Sequence, residues 1–143
     1  MNTAILGTYG LEFRVSKDIF NSKIAIVYGS GSNPITPYIQ NYLMGGNYIE
    51  FYEDEIIPEI NKAINGQGFD PDGGGEIAFL RIGHPSCFLS MNNGHSPELS
   101  MPSVHLKEII LSWVEYLYYN NLEYGNDIIN DLIWLWYRSL VYF

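Results

Sequence analysis

An apolar stripe in the last third of the chain is the feature that most constrains its fold. The stripe recurs in steps of three and one, as the buried face of an α-helix does, and comprises Leu106, Ile109, Ile110, Trp113, Val114 and Leu117. Ser103 stands just before it and is the predicted N-cap. A second helix is predicted over residues 127–142, where apolar side chains lie almost all round the helix axis. We therefore expect helices at the centre of the fold.

The first third of the chain is instead typical of short β-strands. Branched and aromatic residues are concentrated in segments separated by glycine and by small polar residues, which predicts strands over residues 4–9, 11–15 and 23–28. Further strands are predicted over residues 48–52, 76–82 and 86–91, the last two joined as a hairpin at Gly83-His84-Pro85. The expected fold class is α+β, with a small antiparallel sheet packed against the C-terminal helices.

Two shorter helices and two loops complete the prediction. A helical turn is expected over residues 37–43 and a regular helix over about 57–65, where Pro58 fits only near the first turn. Residues 29–34 and the glycine-rich residues 66–75 are expected to be loops. We find no repeat, linker or low-complexity tract, so residues 1–143 are interpreted as a single domain.

Charge limits the partners that this chain can bind. Sixteen carboxylates against seven lysines and arginines give a formal net charge of -9, which repels nucleic acid phosphates and anionic membranes. Basic proteins, metal ions and cationic substrates are compatible with it. The most apolar stretch, residues 128–143, is interrupted by polar residues and is shorter than the ~20 residues of a membrane-spanning helix. We predict no direct contact with nucleic acid or membrane.

Cysteine content and the N-terminal residues indicate a cytoplasmic protein. Cys87 is the single cysteine in the sequence, so the chain cannot form an internal disulfide. Residues 1–4 lack the basic start and apolar run of a secretory signal.

Two loops superficially resemble ligand-binding motifs. Residues 70–76 begin like a calcium loop, but Gly74 and Arg81 stand where the fifth and twelfth ligands would be needed. Residues 29–32 are rich in glycine and serine, but they lack both the dinucleotide-binding glycine pattern and a Walker lysine. A solvated turn is the preferred interpretation of the first, and we predict neither a metal nor a cofactor.

Cys87 and the histidines offer the materials for a nucleophile and its base. His84, His95 or His105 would have to lie beside the thiol for that chemistry. Cys87 stands in an apolar run, so we interpret it as a buried structural thiol and predict that the chain is not an enzyme. A small enzyme using His84 and Cys87 remains the less favoured alternative.

Carboxylates are concentrated in one short stretch of the sequence. Within ten residues lie Glu50, Glu53, Asp54, Glu55 and Glu59, with no intervening base. A helix dipole accounts for one or two of them. Tyr48 and Tyr52 interleave with the acids, and tyrosine is enriched at interface hot spots. We predict that these seven residues bind a basic partner, the alternative being a solvated helix start.

A second group of aromatic residues follows the apolar stripe, and comprises Tyr116, Tyr118, Tyr119 and Tyr124. Since so many hydroxyls cannot all be buried without partners, some must reach the surface. The group is either the wet rim of the core or a contact patch, and the rim is the preferred interpretation.

The chain as a whole resembles the small immunity proteins that accompany contact-dependent growth inhibition toxins and other polymorphic toxins. The likeness rests on size, acidity, the absence of catalytic motifs, the α+β layout and the amphipathic residues 104–117. It implies a cytoplasmic antidote that binds one cognate toxin domain, often a nuclease. A nuclease cleft is basic, so an acidic protein can occupy it with electrostatically steered association. A nucleic-acid-mimicking inhibitor and an assembly subunit are the alternatives.

Overall fold

The structure, a computed structural model, describes residues 1–73, 79–91 and 95–124. The described elements follow one another as α1 (Thr3–Thr8), β1 (Leu11–Lys17), β2 (Lys23–Gly29), α2 (Thr36–Leu43), α3 (Ile49–Phe51), a π-helical turn (Tyr52–Ile56), α4 (Ile57–Ile64), β3 (Leu80–Arg81), β4 (Ser86–Leu89), β5 (Leu99–Pro102) and α5 (Ser103–Tyr119). The fold is α+β, as the sequence predicts. The second predicted helix, residues 127–142, lies outside the described residues.

The strands form two small antiparallel sheets rather than one. β1 and β2 are a hairpin in which Leu11 lies opposite Gly29 and Lys17 opposite Lys23. The second sheet has the order β3-β4-β5, and its β3–β4 pairing confirms the predicted hairpin for the described part of that segment. Helices α2, α3 and α4 come between the two sheets in the sequence.

Helix α5 packs against both sheets through the predicted stripe. Five of the six stripe residues are fully buried and Val114 nearly so. The Trp113 ring lies edge-on to Phe13 of β1, with centroids 4.9 Å apart, and α5 also contacts β4 and β5. The C-terminal stripe therefore forms the centre of the core, as predicted. None of the described helices is long and apolar enough to cross a membrane.

Residues 4–9 were expected to form a strand, but they belong to helix α1 and the Tyr9 that caps it. The Asn2 side chain accepts a hydrogen bond from the N–H of Ile5 at 3.1 Å, which caps the helix N-terminus. Gly10 then adopts a φ of +63°, and a Cβ at that position would lie 2.0 Å from the Ser30 carbonyl oxygen. Capping at one end and a glycine stop at the other outweigh the β propensity of the segment.

Residues 48–52 were also expected to form a strand, and this prediction is wrong. From Ile49 the chain runs helically through α3, the π-helical turn and α4, and the Ile57 N–H bonds to the Tyr52 carbonyl five residues back. Pro58 lacks an N–H, and its ring would clash with the carbonyl four residues earlier in a regular helix. The wider π-helical turn accommodates Pro58. The helix predicted over about residues 57–65 therefore continues a helical segment that begins at Ile49.

Ser103 is the first residue of α5 and not its N-cap. Pro102 precedes the helix and supplies no side-chain cap. The buried Ser103 hydroxyl donates instead to the Gly83 carbonyl, and the Ser103 N–H donates to the Pro85 carbonyl at 2.9 Å. These bonds fix the start of α5 to the turn between β3 and β4.

Changing Tyr42 to phenylalanine should leave the free energy of unfolding unchanged or raise it by up to about 1 to 2 kcal/mol. The Tyr42 hydroxyl is buried and has no hydrogen-bond partner among the described residues, and its burial raises the pKa of the phenol well above the ordinary value. Tyr38→Phe is the matched control, because the Tyr38 hydroxyl donates to the Pro97 carbonyl at 2.7 Å. Urea denaturation should show the control destabilised by about 1 kcal/mol. A larger loss in Tyr42→Phe than in the control would contradict this.

Candidate functional site

Four of the five clustered carboxylates are exposed on the α3–π–α4 segment. Its buried residues Ile49, Tyr52, Ile56 and Ile60 recur at steps of three and four and face the core. The same periodicity places Glu50, Glu53, Asp54 and Glu55 on the solvent side. In the described part of the chain, none of these four carboxylates lies within 4.0 Å of a cationic group. Their negative charge is therefore available to a partner.

Tyr52 is one of the seven residues predicted to bind a partner, and the structure places it in the core and not on this exposed surface. It is fully buried, and its ring lies edge-on to Tyr42 with centroids 6.1 Å apart. Burial raises the pKa of the Tyr52 phenol far above its ordinary value. A strand over residues 48–52 would have left the Tyr52 side chain half exposed, whereas the helical conformation places it in the core.

Glu59 is also separate from the exposed carboxylates. Its side chain is only 15% exposed and bonds to Lys62 Nζ at 2.9 Å and to the Asp70 N–H at 2.8 Å. The Lys62 hydrogen bond, and then the Asp70 backbone bond, lower the pKa of the Glu59 carboxyl. Glu59 thus fixes the loop after α4 to that helix, and its predicted contact with a partner stays a prediction.

The chain beyond α5 returns to the start of α3. Tyr48 forms a β-bridge with Tyr124, and their ring centroids are 5.1 Å apart. The Ile49 N–H donates to the Glu123 carbonyl at 2.9 Å. Tyr48 is 52% exposed and Tyr124 is 44% exposed, so the two rings form an aromatic pair open to solvent. This contact brings together the acidic stretch and the tyrosine group, which the sequence analysis treated separately.

Tyr118, near the end of α5, is the member of the tyrosine group that interacts with the clustered carboxylates. Its side chain is 58% exposed. The pKa of its phenol is raised, first by hydrogen bonding with the Glu53 carboxylate, next by desolvation, and then by the charges of Glu53, Glu50 and Asp54. We call the resulting patch the acidic–tyrosine surface, which consists of Tyr48, Glu50, Glu53, Asp54, Tyr118 and Tyr124.

The remaining tyrosines of the group have different positions. Tyr116 is half-buried and packs against Phe13, with ring centroids 5.5 Å apart. Tyr119 is 84% exposed. Tyr116 thus suits the rim of the core, whereas Tyr118 and Tyr124 suit a contact patch. The two interpretations of the tyrosine group apply to different members.

Cys87 lies in the hydrophobic core, away from the exposed surface. It is fully buried, and within the described residues its thiol has one hydrogen bond, to Ser103 Oγ at 3.4 Å. His105 interacts with a different group, because its Nδ1 lies 2.7 Å from the Tyr9 hydroxyl. The described part of the chain holds no group of three side chains able to bind a metal ion together.

Replacing Cys87 with serine should leave partner binding intact while lowering the free energy of unfolding by about 1 to 2 kcal/mol, because a more polar group is buried. Cys87→Ala is the matched control, since it removes the thiol without adding a hydroxyl. Thermal denaturation and binding should be measured on the same preparations. A folded Cys87→Ser protein that has lost its activity would point to a chemical role for the thiol.

Comparison with known proteins adds no relative. A scan against protein-family models found no match, and searches of curated proteins and of solved structures found no significant match.

Proposed function

We propose that this chain is an immunity protein that binds a cognate toxin domain, a nuclease, through its acidic–tyrosine surface and thereby neutralises it in the cytoplasm. The observation that carries the proposal is the exposure of Glu50, Glu53 and Asp54 on the segment that begins beside the Tyr48–Tyr124 aromatic pair, whose two members lie far apart in the sequence. None of these carboxylates is paired with a cation of the described residues.

The chemistry of this surface suits a basic partner. Exposed carboxylates without counter-charges attract a cationic protein over a Debye length of about 8 Å and accelerate association. Tyrosine rings then supply a large contact area at a low cost in side-chain entropy, with a hydroxyl able to form hydrogen bonds. A nuclease is a suitable partner because its active-site cleft must be positively charged to bind phosphate.

A nucleic-acid mimic would share the acidity but would need its charges in a different arrangement. Its carboxylates should be spread along an extended face, as phosphates are along a strand. Here the acids of the acidic–tyrosine surface lie within residues 50–54 and are interleaved with aromatic side chains. This concentration favours a compact protein contact. The burial of Cys87 gives no support to the alternative of a small enzyme using His84 and Cys87.

Co-expression with a basic nuclease domain captured from the native host, with this chain as the bait, tests the proposal. We expect this chain to restore growth to cells that produce the partner, and the two proteins to elute together in size-exclusion chromatography. Glu53→Lys should weaken both effects, whereas Asp72→Lys, an equal charge change on an exposed loop, should not. Failure to restore growth, together with failure to capture a basic protein from the native host, would refute the proposal.

A further inference from the structure

Helix α5 has an apolar face that is exposed, in addition to the face that it packs into the core. Val104, Leu111 and Tyr118 are each between 38% and 58% exposed. They are seven positions apart, and seven residues make almost two turns of an α-helix, so their side chains form one row along it. We call this row the exposed seam of α5. Contiguous exposed apolar area of this kind is typical of a surface that binds another molecule.

The exposed seam is symmetrical about its middle residue. Leu111 is the ninth of the 17 residues of α5, and Val104 and Tyr118 lie equally far before and after it. A two-fold axis perpendicular to the helix at Leu111 places the α5 of a second copy antiparallel to the first. Leu111 then meets Leu111 of the second copy, and Val104 meets Tyr118. Such a match of one surface with itself is what a two-fold dimer requires.

The charges beside the seam match under the same symmetry. Lys107 lies four positions before Leu111 and Glu115 four positions after it, so antiparallel pairing brings each Lys107 level with the Glu115 of the other copy. Lys107 forms no ion pair within the described residues, and Glu115 is paired there only through Oε2, with the Met1 ammonium at 2.9 Å. A parallel pairing would instead set like charges opposite each other.

We infer that this chain forms a two-fold homodimer through the exposed seam of α5, with Leu111 on the axis and reciprocal Lys107–Glu115 ion pairs between the copies. The inference does not depend on the proposed function, but Tyr118 belongs to both surfaces. The dimer and the toxin complex therefore exclude each other at Tyr118, and the toxin must displace the second copy.

The expected dimer is weak. A contact along one helix about 25 Å long is at or below the lower limit of stable interfaces, roughly 1,200 Å². Glu108 at the margin of the seam and the net charge of -9 on each copy also oppose association. We therefore expect self-association at about 0.1 mM and above.

Sedimentation equilibrium of the whole chain measures this association. From about 10 µM to about 1 mM, the mean mass should rise from the 16.3 kDa of one chain toward twice that value. Leu111→Glu sets two like charges together on the axis and should weaken the dimer by at least about tenfold. Val15→Glu is the matched control, because Val15 is an equally exposed apolar residue in β1, and it should leave the association unchanged.

Exchange of the two charges tests the antiparallel pairing itself. Lys107→Glu alone and Glu115→Lys alone should each weaken the dimer by roughly tenfold, because each sets like charges opposite each other. An equimolar mixture of the two variants should associate at least as well as the parent, since they carry opposite charges at both levels. A purely structural effect of either substitution would not be rescued by mixing. Circular dichroism ensures that each variant is folded.

Disulfide formation locates the axis. Leu111→Cys should yield a covalent dimer under mild oxidation, whereas Val104→Cys should not, because its two copies lie about 21 Å apart along the antiparallel helices. The parent is the blank, since Cys87 is fully buried.

A chain that stays monomeric up to about 1 mM, a mixture that associates no better than either charge variant, or equal cross-linking at both positions would overturn the inference. The proposed function is judged separately by growth and by co-elution with the natural partner, so the two failures are distinguishable.

Discussion

Replacing Trp113 with alanine should lower the free energy of unfolding by about 3 to 5 kcal/mol. Trp113 is fully buried in the middle of α5, where its ring lies against Phe13 of β1 and is stacked near Tyr116 at a centroid distance of 6.3 Å. The substitution removes the Trp113–Phe13 contact between α5 and the β1–β2 hairpin. A cavity remains because the surrounding helix and strand can close it only in part.

Urea denaturation monitored by circular dichroism gives the measurement. With a slope of about 1 to 3 kcal/mol per molar urea, the midpoint should fall by more than about 1 M. Tyr119→Ala is the matched control, because it removes an aromatic ring from the same helix at a position that is 84% exposed. It should change stability by less than about 0.5 kcal/mol. Equal midpoints for the parent and the Trp113 variant would show that the ring does not support the core.

The sequence predicts the elements in which one pattern extends over many residues. The stripe of α5 covers three turns, and all six residues that its spacing predicts to be buried are buried. β1 and β2 are predicted because their branched residues end at clear turn signals. α1 is not predicted because its segment is short and rich in residues that favour strands, so the residues at its two ends determine its conformation. The stabilising contributions of the Asn2 cap and of the Gly10 stop are visible only in the folded chain.

The segment after Gly46 shows how a local pattern can mislead. Residues 48–52 are rich in aromatic and β-branched side chains, as a strand is, yet Ile49, Tyr52, Ile56 and Ile60 continue the helical spacing of α4 backwards. Pro58 conceals that continuity, because a proline predicts the start of a helix. A window extending across Pro58 would have identified the helix and placed Tyr52 in the core.

The candidate site is predictable from the sequence only in its acidic half. The concentration of Glu50, Glu53, Asp54 and Glu55 is visible in the residues themselves. The arrival of Tyr118 and Tyr124 beside them depends on the packing of α5 and on the bridge to Tyr48, which joins residues 76 positions apart. The internal bonds of Glu59 to Lys62 and Asp70 likewise depend on the path of the loop after α4.

Reversing Glu53, Asp54 and Glu55 to lysine should slow association with the basic partner by about an order of magnitude or more at low salt. These exposed carboxylates have no cationic partner among the described residues, so their field acts on an approaching protein without being neutralised first. Added salt screens that field, and the difference between variant and parent should shrink as ionic strength rises. Stopped-flow or surface-based kinetics across a salt series measures both effects.

The choice of control decides whether a slower rate is due to this surface or to net charge alone. Glu98 is unsuitable, because its carboxylate accepts a hydrogen bond from Arg81 at 2.7 Å and its reversal would break that pair. Asp72 is exposed on a separate loop, so Asp72→Lys can be compared with Glu53→Lys at equal charge change. Each variant must first be shown to be folded, since lysine in this segment opposes the dipole of α4.

If Glu53→Lys and Asp72→Lys slow association equally, net charge steers the encounter. If the triple variant associates as fast as the parent at every salt concentration, these acids are only a solvated surface of the helix. Tyr118 and Tyr124 then become the better candidates for the contact.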